Sequence, residues 1–295
     1  MGVTSSTDGD FIATKGELDI FLSKLDKDGH ILWTKIYGGS AYDFGGSFFE
    51  TTNGEFVLGI SSKSNDLDFP ENYGDSDVWV LKTNSKGDII WKKHFGGSRY
   101  DFSGEVIKAE KNSYLLVGKT GSVDKDMIEH TDSIASKQDF WVKLDTSGTL
   151  IWHKTYGFHP YGFFTGIYSV KSDSLGFIGV GTAETGGNYK EGHFSLEMFV
   201  IKLDKNGNLL WRKLLGGLGI DSARDIEILS DGSYAILGIT ESNKSGDVDL
   251  SYGLKDYWVV RLDNKGENII WQIPLGGSDY DDSSPRHPGG KSSAG

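Results

Sequence analysis

Tyrosine and aspartate recur side by side along this chain, and together they could form a binding surface. The pattern reads Tyr42-Asp43-Phe44, Tyr100-Asp101-Phe102 and Tyr280-Asp281, with Tyr161-Gly162-Phe163 and Ile220-Asp221 at the corresponding points of two other segments. Tyrosine rings can stack on sugar rings, and carboxylates can accept hydrogen bonds from their hydroxyls. A repeated aspartate can equally cap a turn while its tyrosine packs between structural units. The candidate ligand-binding residues are Tyr42, Asp43, Tyr100, Asp101, His159, Tyr161, Asp221, Tyr280 and Asp281.

Pairs of aspartates in the pattern Asp-x-Asp form a second recurring group. They are Asp8/Asp10, Asp66/Asp68, Asp124/Asp126 and Asp247/Asp249. Alternate carboxylates in an extended loop can share a calcium ion, although calcium takes six to eight oxygen ligands and two carboxylates are too few alone. A solvated loop or turn is the alternative. Calcium is thus the one cofactor that this chain suggests, with Asp66, Asp68, Asp124, Asp126, Asp247 and Asp249 as candidate ligands.

One segment departs from both patterns. The sequence Gly157-Phe158-His159-Pro160-Tyr161-Gly162 replaces the Tyr-Asp corner, and the loop from Glu184 to Glu197 contains Glu191 and His193 but no Asp-x-Asp pair. His159, His193 and Glu191 are ligand types that a transition metal accepts. Ordinary drift between repeats explains the same departure.

A repeat of about 60 residues must position these groups. Its marker is the run Leu203-Asp204-x-x-Gly207-x-Leu209-Leu210-Trp211, and the five equivalent tryptophans are separated by 58, 61, 59 and 60 residues. Each repeat holds four strand-like segments, of which the second and third are apolar throughout and therefore expected to be buried on both faces. This pattern predicts an all-β fold, a β-propeller of four-stranded antiparallel blades, with an open β-solenoid as the alternative. Identical placement predicts that the tryptophans pack in the core or between blades: Trp33, Trp91, Trp152, Trp211 and Trp271.

Five blades are represented in residues 1–282, four complete and one partial. The partial blade occupies residues 1–39, and the complete blades occupy 40–97, 98–157, 158–217 and 218–277. Gly2 to Ser6 matches Gly59 to Lys63, which lies in the middle of a repeat. We therefore expect a fragment of a longer chain with other domains. Residues 283–295 show no strand pattern and are expected to be a disordered or foreign tail.

Composition excludes several classes of function. The net charge of −12 and the pI near 5.0 argue against a nucleic-acid surface, since such surfaces need clustered lysine and arginine. The absence of cysteine excludes disulfides and thiolate chemistry. No apolar run reaches membrane-spanning length, so membrane insertion is not expected.

The tryptophan run resembles the tryptophan-docking motif of the quinoprotein-type propellers, although it lacks the Ala before the Asp and the Thr before the Gly. The whole period, with Gly-Gly-Ser-x-Tyr-Asp-Phe at Gly38 to Phe44, more closely resembles roughly 60-residue repeats of secreted or surface propeller proteins of Bacteroidetes-like bacteria. The resemblance implies an extracellular or cell-surface protein. It carries over no enzymatic residue.

These observations favour a non-enzymatic binding, adhesion or scaffold module whose ligand is a carbohydrate or a protein. The alternative is a propeller enzyme that acts on polysaccharide, of the glycoside hydrolase or lyase type. A glycosidase needs two carboxylates at a set separation, and the repeated aspartates supply carboxylates in excess.

Overall fold

The computed structural model describes residues 1–110, 112–127, 138–156, 166–184 and 196–281, which form five antiparallel sheets. The first blade contains β1 (Gly2–Thr4), β2 (Asp19–Leu25) and β3 (Ile31–Tyr37). The second contains β4 (Asp43–Glu50), β5 (Phe56–Ser62), β6 (Asp77–Thr83) and β7 (Ile89–Phe95). The third contains β8 (Asp101–Lys108), β9 (Ser113–Thr120), β10 (Gln138–Asp145) and β11 (Leu150–Tyr156).

The fourth blade contains β12 (Gly166–Ser172), β13 (Gly176–Glu184), β14 (Leu196–Asp204) and β15 (Leu209–Leu215). The fifth contains β16 (Asp221–Ile228), β17 (Tyr234–Thr240), β18 (Asp256–Leu262) and β19 (Ile269–Leu275). One 3₁₀ turn, Lys125–Met127, interrupts the connection between β9 and β10. Strands pair in chain order within each sheet, so the predicted β-propeller of four-stranded antiparallel blades is confirmed. The predicted tail at 283–295 lies outside the described residues.

The first strands of successive complete blades contact one another and form the centre of the molecule. Each of these strands carries a β-bulge, for example between Ser103 and Val106 in β8. A bulge inserts an extra residue into one strand, so that side chains there point in directions that the regular ladder would not allow. Here the bulges support bonds between blades: Val106 N–H donates to Ser47 Oγ at 2.6 Å, and Ser169 Oγ donates to Asp225 Oδ1 at 2.6 Å. The central strands are therefore linked by side chains as well as by packing.

At the outer edge, four of the five repeat tryptophans dock onto the turn between the third and fourth strands of the next blade: Trp33, Trp91, Trp152 and Trp211. Trp152 is representative: its Nε1–H donates to Lys205 O at 3.1 Å, and its ring meets the Phe177 ring edge-on at 6.1 Å between centres. Trp91 repeats the arrangement, with Nε1–H to Thr146 O at 3.2 Å and Tyr114 as the aromatic partner. These four tryptophans therefore pack between neighbouring blades, as the sequence predicted.

A lysine completes the same junction. Lys143 pairs across the ladder with Trp152, donates to Lys205 O at 3.1 Å, and places its Nζ 5.2 Å from the centre of the Phe177 ring. A cation over an aromatic ring is attracted by about 1 kcal/mol or more when partly desolvated. Equivalent lysines lie over the corresponding rings at the other junctions: Lys24, Lys82 and Lys202.

The docking turn requires glycine. Gly207 has φ +75°, and a methyl group on it would lie 3.1 Å from the Trp152 ring. We expect Gly207→Ala to lower the free energy of unfolding by about 2 kcal/mol, because it adds a crowded contact to the cost of a left-handed alanine. Urea unfolding followed by circular dichroism measures this loss.

Gly29 provides the matched control, since it occupies the same turn position in the first blade. Its φ is +86°, but nothing lies within 4 Å of the position that a methyl group would take. Gly29→Ala should therefore cost only the conformational term, about 1 kcal/mol. Equal losses at the two glycines would show that the tryptophan contact contributes nothing.

The second and third strands are buried on both faces in the second blade, as the apolar runs predicted. In the fifth blade, β18 alternates between buried and half-buried residues, because no blade in the described part of the chain packs on one of its faces. No helix among the described residues has the length and apolarity needed to cross a lipid bilayer.

Candidate binding face

The candidate site lies on the side of the molecule where the chain enters each first strand, which we call the loop face. The connection between the second and third strands of each blade lies on the same side. Tyr42 forms a parallel bridge with Leu18 of the preceding blade, and Asp43 N–H donates to Leu18 O at 2.8 Å. Ser76 and Tyr100 repeat this bridge one blade further. The backbone of each Tyr-Asp pair is thereby fixed to the blade before it.

Neighbouring residues of an extended segment point to opposite sides, and this separates each tyrosine from its aspartate. Tyr42 and Tyr100 are 45% and 48% exposed. Asp43 and Asp101 are completely buried. The two halves of the predicted motif therefore have different surroundings.

Each exposed tyrosine stacks on the phenylalanine two residues later. The Tyr42 and Phe44 rings are 6.2 Å apart with an interplanar angle of 7°, and the Tyr100 and Phe102 rings are 6.0 Å apart with an angle of 2°. We call these four residues the aromatic row. The strands that carry it contact one another closely, since a methyl group on Gly46 would lie 2.9 Å from the Gly104 carbonyl oxygen. Two flat, parallel aromatic stacks are therefore presented by adjacent blades.

Other groups extend this surface. Lys63 Nζ lies 5.5 Å from the centre of the Tyr100 ring, and Lys119 Nζ lies 5.0 Å from that of the exposed Tyr168. Tyr280 is also exposed and has Lys255 Nζ at 6.0 Å. Phe44, Phe102 and Tyr168 were not among the candidates from the sequence.

The buried aspartates act as caps of the Gly-Gly turn. Asp101 accepts hydrogen bonds from Gly97 N–H at 2.8 Å, from Ser122 Oγ at 2.8 Å and from Thr120 Oγ1. Asp43 makes the same set with Gly39 and two serines, and Asp221 accepts from Gly217 N–H at 2.8 Å. These aspartates therefore cap turns, which was the alternative interpretation of their recurrence in the sequence. Ligand binding stays a prediction for the exposed tyrosines.

Burial raises the pKa of both Asp43 and Asp101 to about 6, against the opposing effect of their hydrogen bonds. The nearby carboxylate of the preceding blade, Asp19 or Asp77, adds a smaller repulsion in the same direction. A neighbouring carboxylate disfavours the ionised form of Asp43 and of Asp101, in the same direction as burial.

The Asp-x-Asp pairs clamp the same Gly-Gly turn from its other side. Asp66 Oδ1 accepts from Ser40 N–H at 2.8 Å, and Asp68 Oδ2 accepts from Gly38 N–H at 3.0 Å. Asp124 and Asp126 accept from Ser98 and Gly96 in the same way. These carboxylates hold the backbone that positions the Tyr-Asp corner, and calcium binding by them stays a prediction.

In the fifth blade, the predicted pair Asp247/Asp249 does not occupy the two positions that hold the Gly-Gly turn, and calcium binding by it stays a prediction. The residues equivalent to Asp66 and Asp68 are Ser245, which accepts from Leu218 N–H at 3.1 Å, and Asp247, which accepts from Gly216 N–H at 3.3 Å. Asp249 lies two residues beyond this clamp. A tight turn determines which residues of this loop take the two positions. In the fifth blade Val248 N–H donates to Ser245 O, and in the second blade Phe69 N–H donates to Asp66 O in the same way.

The other candidate residues from the sequence cannot be placed in the structure. His159 and Tyr161 lie outside the described residues, as do Glu191 and His193. Within the described part of the chain, ligand atoms of three acidic or imidazole groups come within 4.8 Å of one another at Asp26, Asp28 and His30. Asp26 accepts the backbone N–H groups of both other residues at 2.9 Å, so this cluster forms an exposed hairpin turn.

No protein-family profile matches the chain, and no curated protein matches it in sequence. Solved structures do resemble it. A protein of unknown function from Bacteroides caccae has a TM-score of 0.41 and 14% identity over 88% of this chain and 78% of its own. A protein of unknown function from Dyadobacter fermentans has a TM-score of 0.49 and 12% identity over 85% of this chain and 69% of its own.

A quinohemoprotein alcohol dehydrogenase from Comamonas testosteroni has a TM-score of 0.43 and 10% identity over 88% of this chain and 52% of its own. The structural neighbours thus include a quinohemoprotein dehydrogenase and proteins of unknown function from Bacteroides and Dyadobacter. At these identities the likeness concerns the fold alone.

Proposed function

We propose that this protein is a non-enzymatic binding module that recognises carbohydrate through the aromatic row on its loop face. The observation that carries the proposal is the pair of parallel stacks, Tyr42 on Phe44 and Tyr100 on Phe102. Exposed aromatic groups gathered in one patch mark interaction sites more often than scattered ones do. The repeat resemblance adds an extracellular or cell-surface location, where such a module would meet polysaccharide.

Rigidity supports the proposal. Both tyrosines are held at the backbone by the preceding blade, and each ring rests on a phenylalanine. A surface ordered before binding loses less conformational entropy when a ligand arrives. The flat geometry suits the apolar face of a sugar ring, and Lys63 beside Tyr100 can donate to a sugar hydroxyl.

An enzyme acting on polysaccharide remains the second candidate. A hydrolase needs two carboxylates that can reach the glycosidic bond. Asp43, Asp101 and Asp221 are buried and already accept hydrogen bonds from their own turns, which favours the binding module. Incubation with a bound polysaccharide and measurement of new reducing ends distinguishes the two, because a hydrolase would release them.

The test begins with a glycan array and continues with calorimetry on the best ligand. We expect Tyr100→Ala to weaken binding by about tenfold or more, since tenfold corresponds to about 1.4 kcal/mol and one stacked ring contributes about that much. Tyr42→Ala should have a similar effect. Both side chains are exposed, so the melting temperature should change little.

Tyr252→Ala is the matched control, because Tyr252 is an exposed tyrosine outside the aromatic row. It should leave the affinity unchanged. A glycan ligand whose affinity is the same in all three variants would place the binding site elsewhere.

A further inference from the structure

A polar cleft opens between the second and third blades, on the side of the molecule opposite the loop face. Its volume is about 570 Å³, which lies within the range of binding sites for small molecules. Its walls are the hairpin turns that follow β4 and β8, together with the turn between β10 and β11. Hydroxyl, amide and charged side chains line it, so a polar ligand suits it better than an apolar one.

The charges at this junction differ from those at the junction before it. Between the first and second blades, Lys24 Nζ lies 2.9 Å from Glu50 Oε1 and over the Phe56 ring. Glu50 is the last residue of β4 and pairs across the ladder with Phe56. Lys108 is the last residue of β8 and pairs in the same way with Tyr114. A lysine thus takes the place of the glutamate in the third blade.

The lysine that corresponds to Lys24 already has a partner within its own blade. Lys82 Nζ lies 2.9 Å from Glu55 Oε2 and donates to Thr146 O at 3.4 Å. Lys108 is exposed, and no carboxylate among the described residues pairs with it. In a chain whose net charge is −12, this cleft therefore has an unpaired cation in its wall.

Neutral hydrogen-bonding groups surround the same space. Thr52, Asn53 and Asn112 are exposed, and their side chains make no hydrogen bond to another described residue. An amide offers both donors and an acceptor, and a hydroxyl does the same, which matches the hydroxyl groups of a sugar. Asn53 and Asn112 belong to hairpins of different blades, so a ligand in the cleft is held from two sides.

We propose that this cleft binds an anionic sugar, a uronate or a sugar phosphate. Lys108 contacts the charged group of the ligand, and Asn53 and Asn112 contact its hydroxyl groups. A hydrogen bond to an ionised group is about twice as strong as one between neutral groups, so the charge provides much of the affinity. The site is separate from the aromatic row, because it lies on the opposite side of the molecule.

Calorimetric titration at physiological ionic strength tests the ligand class. The probes are glucuronate, glucose 6-phosphate, glucose and inorganic phosphate. Glucuronate or glucose 6-phosphate should bind at least about tenfold more tightly than glucose, because the loss of a hydrogen bond to a charged group costs about that much or more. The two anionic sugars distinguish a carboxylate from a phosphate as the charged group.

Lys108→Glu tests the assignment of the cation. The substitution gives this junction the residue types that Lys24 and Glu50 provide between the first and second blades, so the protein should fold and its melting temperature should change little. The affinity for the anionic sugar should fall by about tenfold or more. Lys108→Arg keeps the charge and should keep the affinity.

Lys93→Glu is the matched control. Lys93 is an exposed lysine at the same junction, beside Gly148, but it does not line the cleft. This variant should bind the anionic sugar as the unaltered protein does, since exposed charges at a distance are screened by salt. Tyr100→Ala should also bind it normally, which separates this site from the aromatic row.

Three results would overturn the proposal. Neither anionic sugar binds more tightly than glucose, or inorganic phosphate binds as tightly as glucose 6-phosphate, in which case the sugar is not recognised. Equal losses of affinity in Lys108→Glu and Lys93→Glu would show a general effect of charge and no contact in the cleft.

Discussion

Trp152→Ala is expected to lower the free energy of unfolding by about 3 kcal/mol, at the lower end of the range for truncation of a buried tryptophan, because the indole is half-buried. The indole bridges two blades. It packs on Gly207 and against Phe177, and its Nε1–H donates to Lys205 O at 3.1 Å. Truncation therefore removes apolar contact, leaves a cavity between blades and removes one of the two hydrogen bonds that Lys205 O accepts, the other coming from Lys143 Nζ. Denaturant unfolding at low protein concentration measures the loss.

Trp271→Ala is the matched control within the same molecule. Trp271 occupies the equivalent position in the fifth blade, but it is 37% exposed and meets no docking turn among the described residues. We expect a loss of about 1 kcal/mol, from the packing of the indole on its own sheet alone. Similar losses at Trp152 and Trp271 would show that the tryptophans act within blades and not between them.

The strand order could be predicted because each signal recurs in every repeat. A tryptophan about every 60 residues showed where each repeat lies, and two apolar runs in each repeat identified the strands that are buried on both faces. The details of each junction could not be predicted in this way. The pairing of Lys143 with the Phe177 ring joins residues of different blades, and only the packing of whole sheets brings them together.

At the candidate site, too, the sequence predicted which residues recur but not the surroundings of each side chain. Tyr42 and Asp43 were predicted as one binding corner, yet adjacent residues of an extended segment face opposite ways, so the aspartate is buried and the tyrosine exposed. The same period of two places Phe44 beside Tyr42, a signal that the sequence already contained. The position of Asp249 could not be predicted from spacing, because a tight turn at Ser245 sets the phase of that loop.

Asp101→Ala is expected to cost about 3 kcal/mol of unfolding free energy. The substitution leaves three buried donors, Gly97 N–H, Thr120 Oγ1 and Ser122 Oγ, without their acceptor, and each unsatisfied group costs about 1 kcal/mol or more. Asp281→Ala is the control. Its carboxylate is only half-buried and accepts from Gly277 N–H at 2.7 Å, so a loss of about 1 kcal/mol is expected.

Stability should also depend on pH through the same carboxyl group. Burial raises the pKa of Asp101 from an ordinary 3.8 to about 6, so the folded protein binds a proton more tightly than the unfolded chain. The stabilisation of the folded protein by the protonated Asp101 carboxyl group is complete below pH 3.8 and is lost as the pH rises through about 6. Acidification from about pH 7 to about pH 5 should therefore stabilise the protein, with Asp101 contributing about 1 kcal/mol.

Asp101→Asn isolates this contribution, because an amide keeps an acceptor for Gly97 N–H but does not titrate. The gain in unfolding free energy between about pH 7 and about pH 5 should shrink by about 1 kcal/mol in the variant. Carboxyl groups whose pKa is lowered by hydrogen bonds, such as Asp88 and Asp145, lose their stabilisation only below 3.8 and leave this window unaffected. An unaltered pH dependence in Asp101→Asn would mean that Asp101 does not change its protonation state between about pH 7 and about pH 5.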